Sequence, residues 1–465
     1  MAAAHTLPLR QMRDELASRE ISPRELVEAH LVQIERVNGR INAFVEIYAD
    51  DCRQAAKEME RYDGRPLWGV PVTIKDSFDI QGRPTYCGSK LRLDHCAEAD
   101  AAVVERLRQA GAIILGKTNC PEFLLNYETD NFITGYTANP WNPEFAAGGS
   151  SGGEAAAIAA CCSAGGIGSD AGGSIRVPAH FCGLAGLKPT PGRISGAGHF
   201  PPIGHPFGLL GVVGPMARTA DDLKLLFAVL AGYDWRDPLA AAVPQREPVM
   251  PRRMGIFTQP GRHGLQEECR TAVEAAARAA EGLGVACEPF VFPSYEQARE
   301  LWWFFFGRLL GVLMRPVLAA NPEQTHWTSK ELIGRLDPND VPSAEEILET
   351  FAARDALRGQ LLAAMEHTPV VIAPVSCAAS FRQRQRMWET PSGSLELLDA
   401  MAPSFVWNLV GCPSVVIPFG FSQEGTPVGI QIVGRPWCEE DILEVACRLE
   451  EARGAFPLCG LAATN

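Results

Sequence analysis

Apolar residues recur every three or four positions after Ser22-Pro23-Arg24-Glu25, at Leu26, Val27, Leu31, Ile34 and Val37. That spacing predicts a helix with one buried face. Ser22 and Glu25 stand at capping-box distance with Pro23 at the first helical position, and Gly39 is the expected stop. Further along, short continuous apolar runs replace the helical period. Residues 69–74 read as a strand ending at Lys75, residues 112–115 as a second, and residues 370–373, 414–417 and 429–433 as three more. Stretches 101–110, 154–162 and 441–452 read as helices. Strands that are apolar throughout, alternating with helices, predict an α/β protein with its sheet covered on both faces.

Two stretches fit less simply. Leu301-Trp302-Trp303-Phe304-Phe305-Phe306, continuing to Met314, is the most apolar run outside the strands. Broken by Gly307 and Arg308, it reads as too short to span a bilayer. A buried helix, the wall or lid of an acyl or aryl pocket, and a membrane-touching surface all remain open for it. Pro238, Pro244, Pro248 and Pro251 crowd residues 237–253, which fits either a boundary or a surface loop. With no repeat and no low-complexity linker, a single domain over residues 1–465 is expected, its C-terminal half elaborated over 254–465.

Composition narrows the function classes. Lys and Arg total 42 against 55 Asp and Glu, a formal charge of −13, which argues against nucleic acid as a partner. The cysteines fall in no zinc-like spacing, so free and mostly buried thiols in a reducing compartment are expected. Residues 1–20 lack the apolar stretch of a signal peptide, and no run of 18 apolar residues occurs. A cytoplasmic protein without a membrane span, metal or cofactor is the expectation, and a homodimer is compatible with it.

The chemistry concentrates in two glycine and serine knots, Gly148-Gly149-Ser150-Ser151-Gly152-Gly153 and Gly168-Ser169-Asp170-Ala171-Gly172-Gly173-Ser174-Ile175-Arg176. Such clusters let backbone N–H groups approach a ligand without Cβ obstruction. The chain between Ser150 and Ser174 has room for a loop, a helix and a short strand that returns one serine to the other. A phosphate cradle would need Lys and then Ser or Thr after the glycines, and Glu154-Ala155 stand there instead. Residues 148–152 also match the G-x-S-x-G nucleophile elbow. An elbow must follow a strand, whereas Asn139-Pro140-Trp141-Asn142-Pro143 upstream is turn-like. Tight turns without chemistry are the third reading of the knots.

Lys75-Asp76, the 148–153 loop, Gly172-Gly173-Ser174-Ile175-Arg176 with Pro178-Ala179, and Gly186-Leu187-Lys188-Pro189-Thr190 together closely resemble the amidase-signature family. Weaker likeness covers nearly the whole chain, with a signature core at about 65–235. The resemblance implies a large twisted mixed β-sheet covered by helices on both faces, and a hydrolase acting on linear amides, with esters or carbamates as further candidates. It assigns Ser174 as nucleophile, Ser150 as proton relay after a cis peptide, and Lys75 as base. The amides of Ala171, Gly172, Gly173 and Ser174 would form the oxyanion hole, while Ser151, Asp170 and Arg176 would support it. Lys75 can act as a base only when neutral, so burial must depress its pKa.

His180 and Cys182, near the nucleophile in sequence, read as packing residues. In this family the glutamine-hydrolysing component of the tRNA-dependent amidotransferase typically carries Gln where this chain has Val177 and Tyr where it has Pro191. Both departures favour a free-standing amidase, and an apolar pocket walled by the 301–314 run would point to a small-molecule amide with an apolar acyl or aryl part. The alternatives are a glutamine amidotransferase component delivering ammonia to a partner, or a catalytically dead binding protein. The last predicts loss of Lys75, Ser150 or Ser174, and all three are present.

Overall fold

The structure, a computed structural model, describes residues 3–261, 264–337 and 339–462. Its main sheet uses β1 (Phe44–Ile47), β2 (Pro71–Lys75), β3 (Ile113–Thr118), β4 (Gly165–Asp170), β5 (Ala185–Lys188) and β6 (Val212–Ala217) from the first half. The second half adds β7 (Arg253–Ile256), β8 (Ala286–Pro289) and β9 (Val370–Pro374). A separate hairpin, β10 (Met387–Thr390) with β11 (Gly393–Glu396), precedes β12 (Ser414–Phe421) and β13 (Pro427–Gly434). Among the described residues the main sheet has 11 strands in the order β1-β3-β2-β4-β6-β5-β12-β13-β9-β7-β8. Parallel pairs at β2–β3, β2–β4, β7–β9 and β7–β8 combine with antiparallel pairs elsewhere, so the sheet is mixed and helices flank it, as the sequence predicts.

β2, β9 and β13 are buried along their whole length, which explains their unbroken apolar runs. Residues 241–252 form an extended loop without strand or helix. The Ser22 hydroxyl accepts from the Glu25 amide at 3.3 Å and the Glu25 carboxylate accepts from the Ser22 amide at 2.9 Å, completing the capping box. The helix does not stop at Gly39, however. It runs from Pro23 to Ile41 and ends where Asn42 turns left-handed at φ 51. Asn42 then donates to the carbonyls of Thr134 and Tyr136, which holds that ending.

The aromatic run is also corrected. Helix continues from Tyr295 to Ala320, 26 residues, long and apolar enough to cross a membrane by length and composition. Gly307 and Arg308 do not break it. Arg308 leaves the apolar side and pairs with Asp340 at 2.6 Å and with Glu346. The run is not one surface either: Phe304 and Phe305 pack into the core, whereas Trp302, Phe306, Leu310 and Met314 line a cavity.

Candidate active site

β2 and β4 are parallel neighbours, with Thr73 opposite Gly166 and Ile74 opposite Ile167. Their carboxyl ends therefore open on the same edge of the sheet, where ligands sit in α/β folds. Lys75 is the last residue of β2, and Ser169-Asp170 close β4. The serine loop reaches this edge because the helix Gly152–Ala159, buried on every side, feeds directly into β4. Its small residues let it lie close against the sheet.

Lys75 Nζ lies 2.7 Å from Ser150 Oγ, 2.9 Å from Ser151 Oγ and 3.1 Å from Ser169 Oγ. The Gly149–Ser150 peptide is cis, and the Ser151 amide donates to the Ser174 carbonyl at 3.1 Å. Ser150 and Ser174 line one cavity together. The ammonium can donate to all three hydroxyls, and the neutral amine can donate to two and accept from Ser150. Burial brings the Lys75 ammonium down from 10.5 to about 8, against the opposing pull of Cys120, Cys87, Asp170 and Glu154. The carboxyls nearby are themselves pushed up by burial, Asp76 to about 6 despite Lys117 at 3.2 Å, and Glu154 to about 7 between Thr73 and Thr118. Glu154 is ionised where Lys75 titrates and pulls its value up, so burial depresses the ammonium in spite of that charge.

The loop that carries Ser174 is stiffened from behind. Burial alone would push the Asp170 carboxyl up, but Arg176 and Asn408 outweigh it and hold the group well below the usual carboxylate range. Arg176 meets Asp170 at 2.9 and 3.0 Å, and reaches the Ser404 carbonyl at 2.8 Å and Gln431 at 3.0 Å. Replacing Asp170 by Asn strands a fully buried guanidinium. We expect a loss of about 3–5 kcal/mol, read as a lowered urea unfolding midpoint. A midpoint equal to wild type would mean that Arg176 needs no charged partner.

Asp170 also takes up one of the four amides expected to form an oxyanion hole. The Gly173 amide donates to Asp170 Oδ1 at 2.7 Å, so it is directed into the support network. Gly173 itself has φ +118, and a Cβ there would meet Ser404 at 2.9 Å. Ala171, Gly172 and Ser174 line the cavity.

Some residues at the site carry no sequence signal that singles them out. Ser169 lies inside the second knot, where strand alternation in β4 could have aimed it at Lys75. Tyr127 donates to the Gly172 carbonyl at 2.7 Å and Trp302 Nε1–H to the Ala171 carbonyl at 3.0 Å. His199 lines the cavity. Its Nδ1–H donates to the Pro201 carbonyl at 2.7 Å, and burial lowers its pKa to about 3, so the ring is neutral. His180 is a packing residue as expected: its Nδ1 accepts from the Gly429 amide at 2.6 Å within the core. Cys182 is a buried free thiol, and the other cysteines are free as well.

The cavity beyond Ser174 is walled mainly by apolar side chains, among them Phe123, Leu125, Phe306, Leu310 and Leu398. Phe123 and Leu124 are held at φ 52 and 65, a left-handed conformation that bulky residues rarely adopt. Glu331 and Arg335 supply charge at this wall. Glu331 is engaged by Arg386 at 2.5 Å and by Asn126 at 2.9 Å.

Comparison with known proteins adds three findings. The family model described as Amidase matches residues 25–443. A curated relative, a glutamyl-tRNA(Gln) amidotransferase subunit from Nitratidesulfovibrio vulgaris (strain DP4), is 33% identical over 97% of this chain and 98% of its own. Among solved structures, 6-aminohexanoate cyclic dimer hydrolase complexed with substrate superposes with a TM-score of 0.86 at 27% identity, covering 98% of this chain and 99% of that one.

Proposed function

The chain belongs to the amidase-signature family, and from that premise we propose that it hydrolyses linear amides with an apolar acyl or aryl part through an acyl-enzyme on Ser174. The observation that carries this reading is the 2.7 Å Lys75–Ser150 contact at the wall of the apolar cavity that Ser174 also lines. Neutral Lys75 takes the Ser150 proton while Ser150 takes that of Ser174, whose oxygen bonds to the carbonyl carbon. Amides of Ala171, Gly172 and Ser174 receive the developing negative oxygen. The proton returns through Ser150 to the departing nitrogen as the C–N bond breaks. Water then repeats the attack and releases the carboxylate.

A second reading has its own support. Identity with the amidotransferase relatives favours a glutaminase that hands ammonia to a partner protein. The mainly apolar cavity favours the first, while Glu331 and Arg335 at its wall are the charged groups that the polar head of glutamine would meet. Purified chain alone is assayed for hydrolysis of glutamine and of aliphatic, aryl, fatty-acyl and carbamate substrates. Rapid turnover of apolar amides without a partner supports the first reading, and activity on glutamine alone supports the second.

The cavity wall gives a further expected outcome. Phe306→Ala removes a side chain whose burial against substrate contributes about 1.5–3 kcal/mol. KM for large apolar amides should rise about ten- to a hundredfold, with that for acetamide little changed. An equal loss on both, with a lowered Tm, would mark Phe306 as core packing instead.

A further inference from the structure

We propose that Trp302 is a positioning residue that aims the Gly172 amide at the reacting carbonyl oxygen and makes that aim depend on what fills the apolar cavity. This rests on Ser174 being the nucleophile. The C=O and N–H of one planar trans peptide point in opposite directions. Trp302 Nε1–H holds the Ala171 carbonyl at 3.0 Å, and so sets the direction of the Gly172 N–H on the other side of that peptide. The next peptide is held at both ends, by Tyr127 on the Gly172 carbonyl at 2.7 Å and by Asp170 on the Gly173 amide at 2.7 Å. The Ala171–Gly172 unit therefore takes its orientation from the indole. Only glycine fits at 172, because a Cβ there would stand 2.7 Å from the Trp302 ring.

The indole is in turn part of the cavity wall. It is stacked between Phe306, with centroids 4.6 Å apart, and Phe405, at 4.1 Å, both at 13° between planes. Trp302, Phe306, Leu310 and Met314 line the cavity at intervals of four residues. In an α-helix of 3.6 residues per turn each such step overshoots by about 40°, so the ladder would wind away from the cavity. The segment Phe304–Leu309 is π-helical, and its wider turn takes up the overshoot and keeps the four side chains in line. An acyl chain or ring lying along this ladder presses on Phe306 and through it on the indole. Chain length should then register in kcat as well as in KM.

The test uses 4-nitroanilides of acetic and octanoic acid, with fluorophosphonate labelling of Ser174 as a separate readout. Trp302→Phe keeps an aromatic ring in the stack and removes the N–H together with part of the indole's volume. We expect kcat to fall about ten- to a hundredfold, the scale of a small misplacement at a reacting centre. KM should stay within about twofold, Tm should fall by a few degrees for the cavity left, and the kcat advantage of the octanoyl substrate should shrink. Tyr127→Phe should cost far less, because Asp170 still holds its peptide. Should Trp302→Phe fail to fold, Phe405→Leu relaxes the stack with the N–H in place and must also lower the octanoyl to acetyl kcat ratio. Wild-type kcat and chain-length dependence in Trp302→Phe, equal losses in Tyr127→Phe, or an unchanged ratio in Phe405→Leu overturns the proposal. Labelling that survives Ser174→Ala would instead overturn the nucleophile assignment beneath it.

Discussion

Ser174→Ala abolishes covalent labelling by a fluorophosphonate and lowers kcat by several orders of magnitude, on the order of 10⁶ where a nucleophile is deleted from a working relay. The residual rate reports what the loop amides and the cavity contribute without a covalent step. Ser150→Ala leaves the nucleophile in place and removes its link to Lys75, so labelling slows without being lost. The folded state should be preserved in Ser174→Ala, because Ser174 is only half-buried and its backbone, not its side chain, receives the Ser151 amide. Mass spectrometry of the labelled peptide checks the result directly. Labelling that persists in Ser174→Ala and vanishes in Ser150→Ala would assign the attack to Ser150 and revive the G-x-S-x-G elbow.

Ser150 and Ser174 are both conspicuous in the sequence because glycine clusters are costly to keep without a reason, and Lys75 because it ends an apolar strand with a charge. Their meeting is local in origin: the helix Gly152–Ala159 and β4 carry the chain from one knot to the other. What surrounds them is less legible. Trp302 reaches the Ala171 carbonyl, beside Ser174, from far along the chain, and no periodicity announces a contact of that kind. Its partners at 306, 310 and 314 form an i+4 row, but their neighbours are apolar too, so no polar face sets the row apart and the run reads as one undivided apolar block. Gly39 misleads for a different reason. A glycine inside a helix is tolerated at modest cost, and the stop belongs to Asn42, whose side chain finds carbonyls across the fold. Arg308 looks like a break in the apolar run although its charge lies with Asp340 and Glu346.

The pH profile should rise through about 8, where burial places the Lys75 ammonium. The sign follows from the chemistry: below that value Nζ carries a proton and cannot accept the one from Ser150, so activity is low at acid pH and appears as the amine is freed. Other groups face Lys75. Asp170 stays ionised, whereas Glu154 is raised to about 7 and can bend the limb as it titrates. Cys87, Cys120 and His199 complete the surroundings. Glu154→Gln therefore serves as a control and should move the limb downward, since it removes a charge that favours the ammonium. Lys75→Ala should eliminate the limb and cost orders of magnitude in kcat, with hydroxide restoring some rate at high pH. Lys75→Arg should do no better, because a guanidinium remains protonated. A Lys75 variant that kept most of the rate and the same limb would exclude the lysine as base.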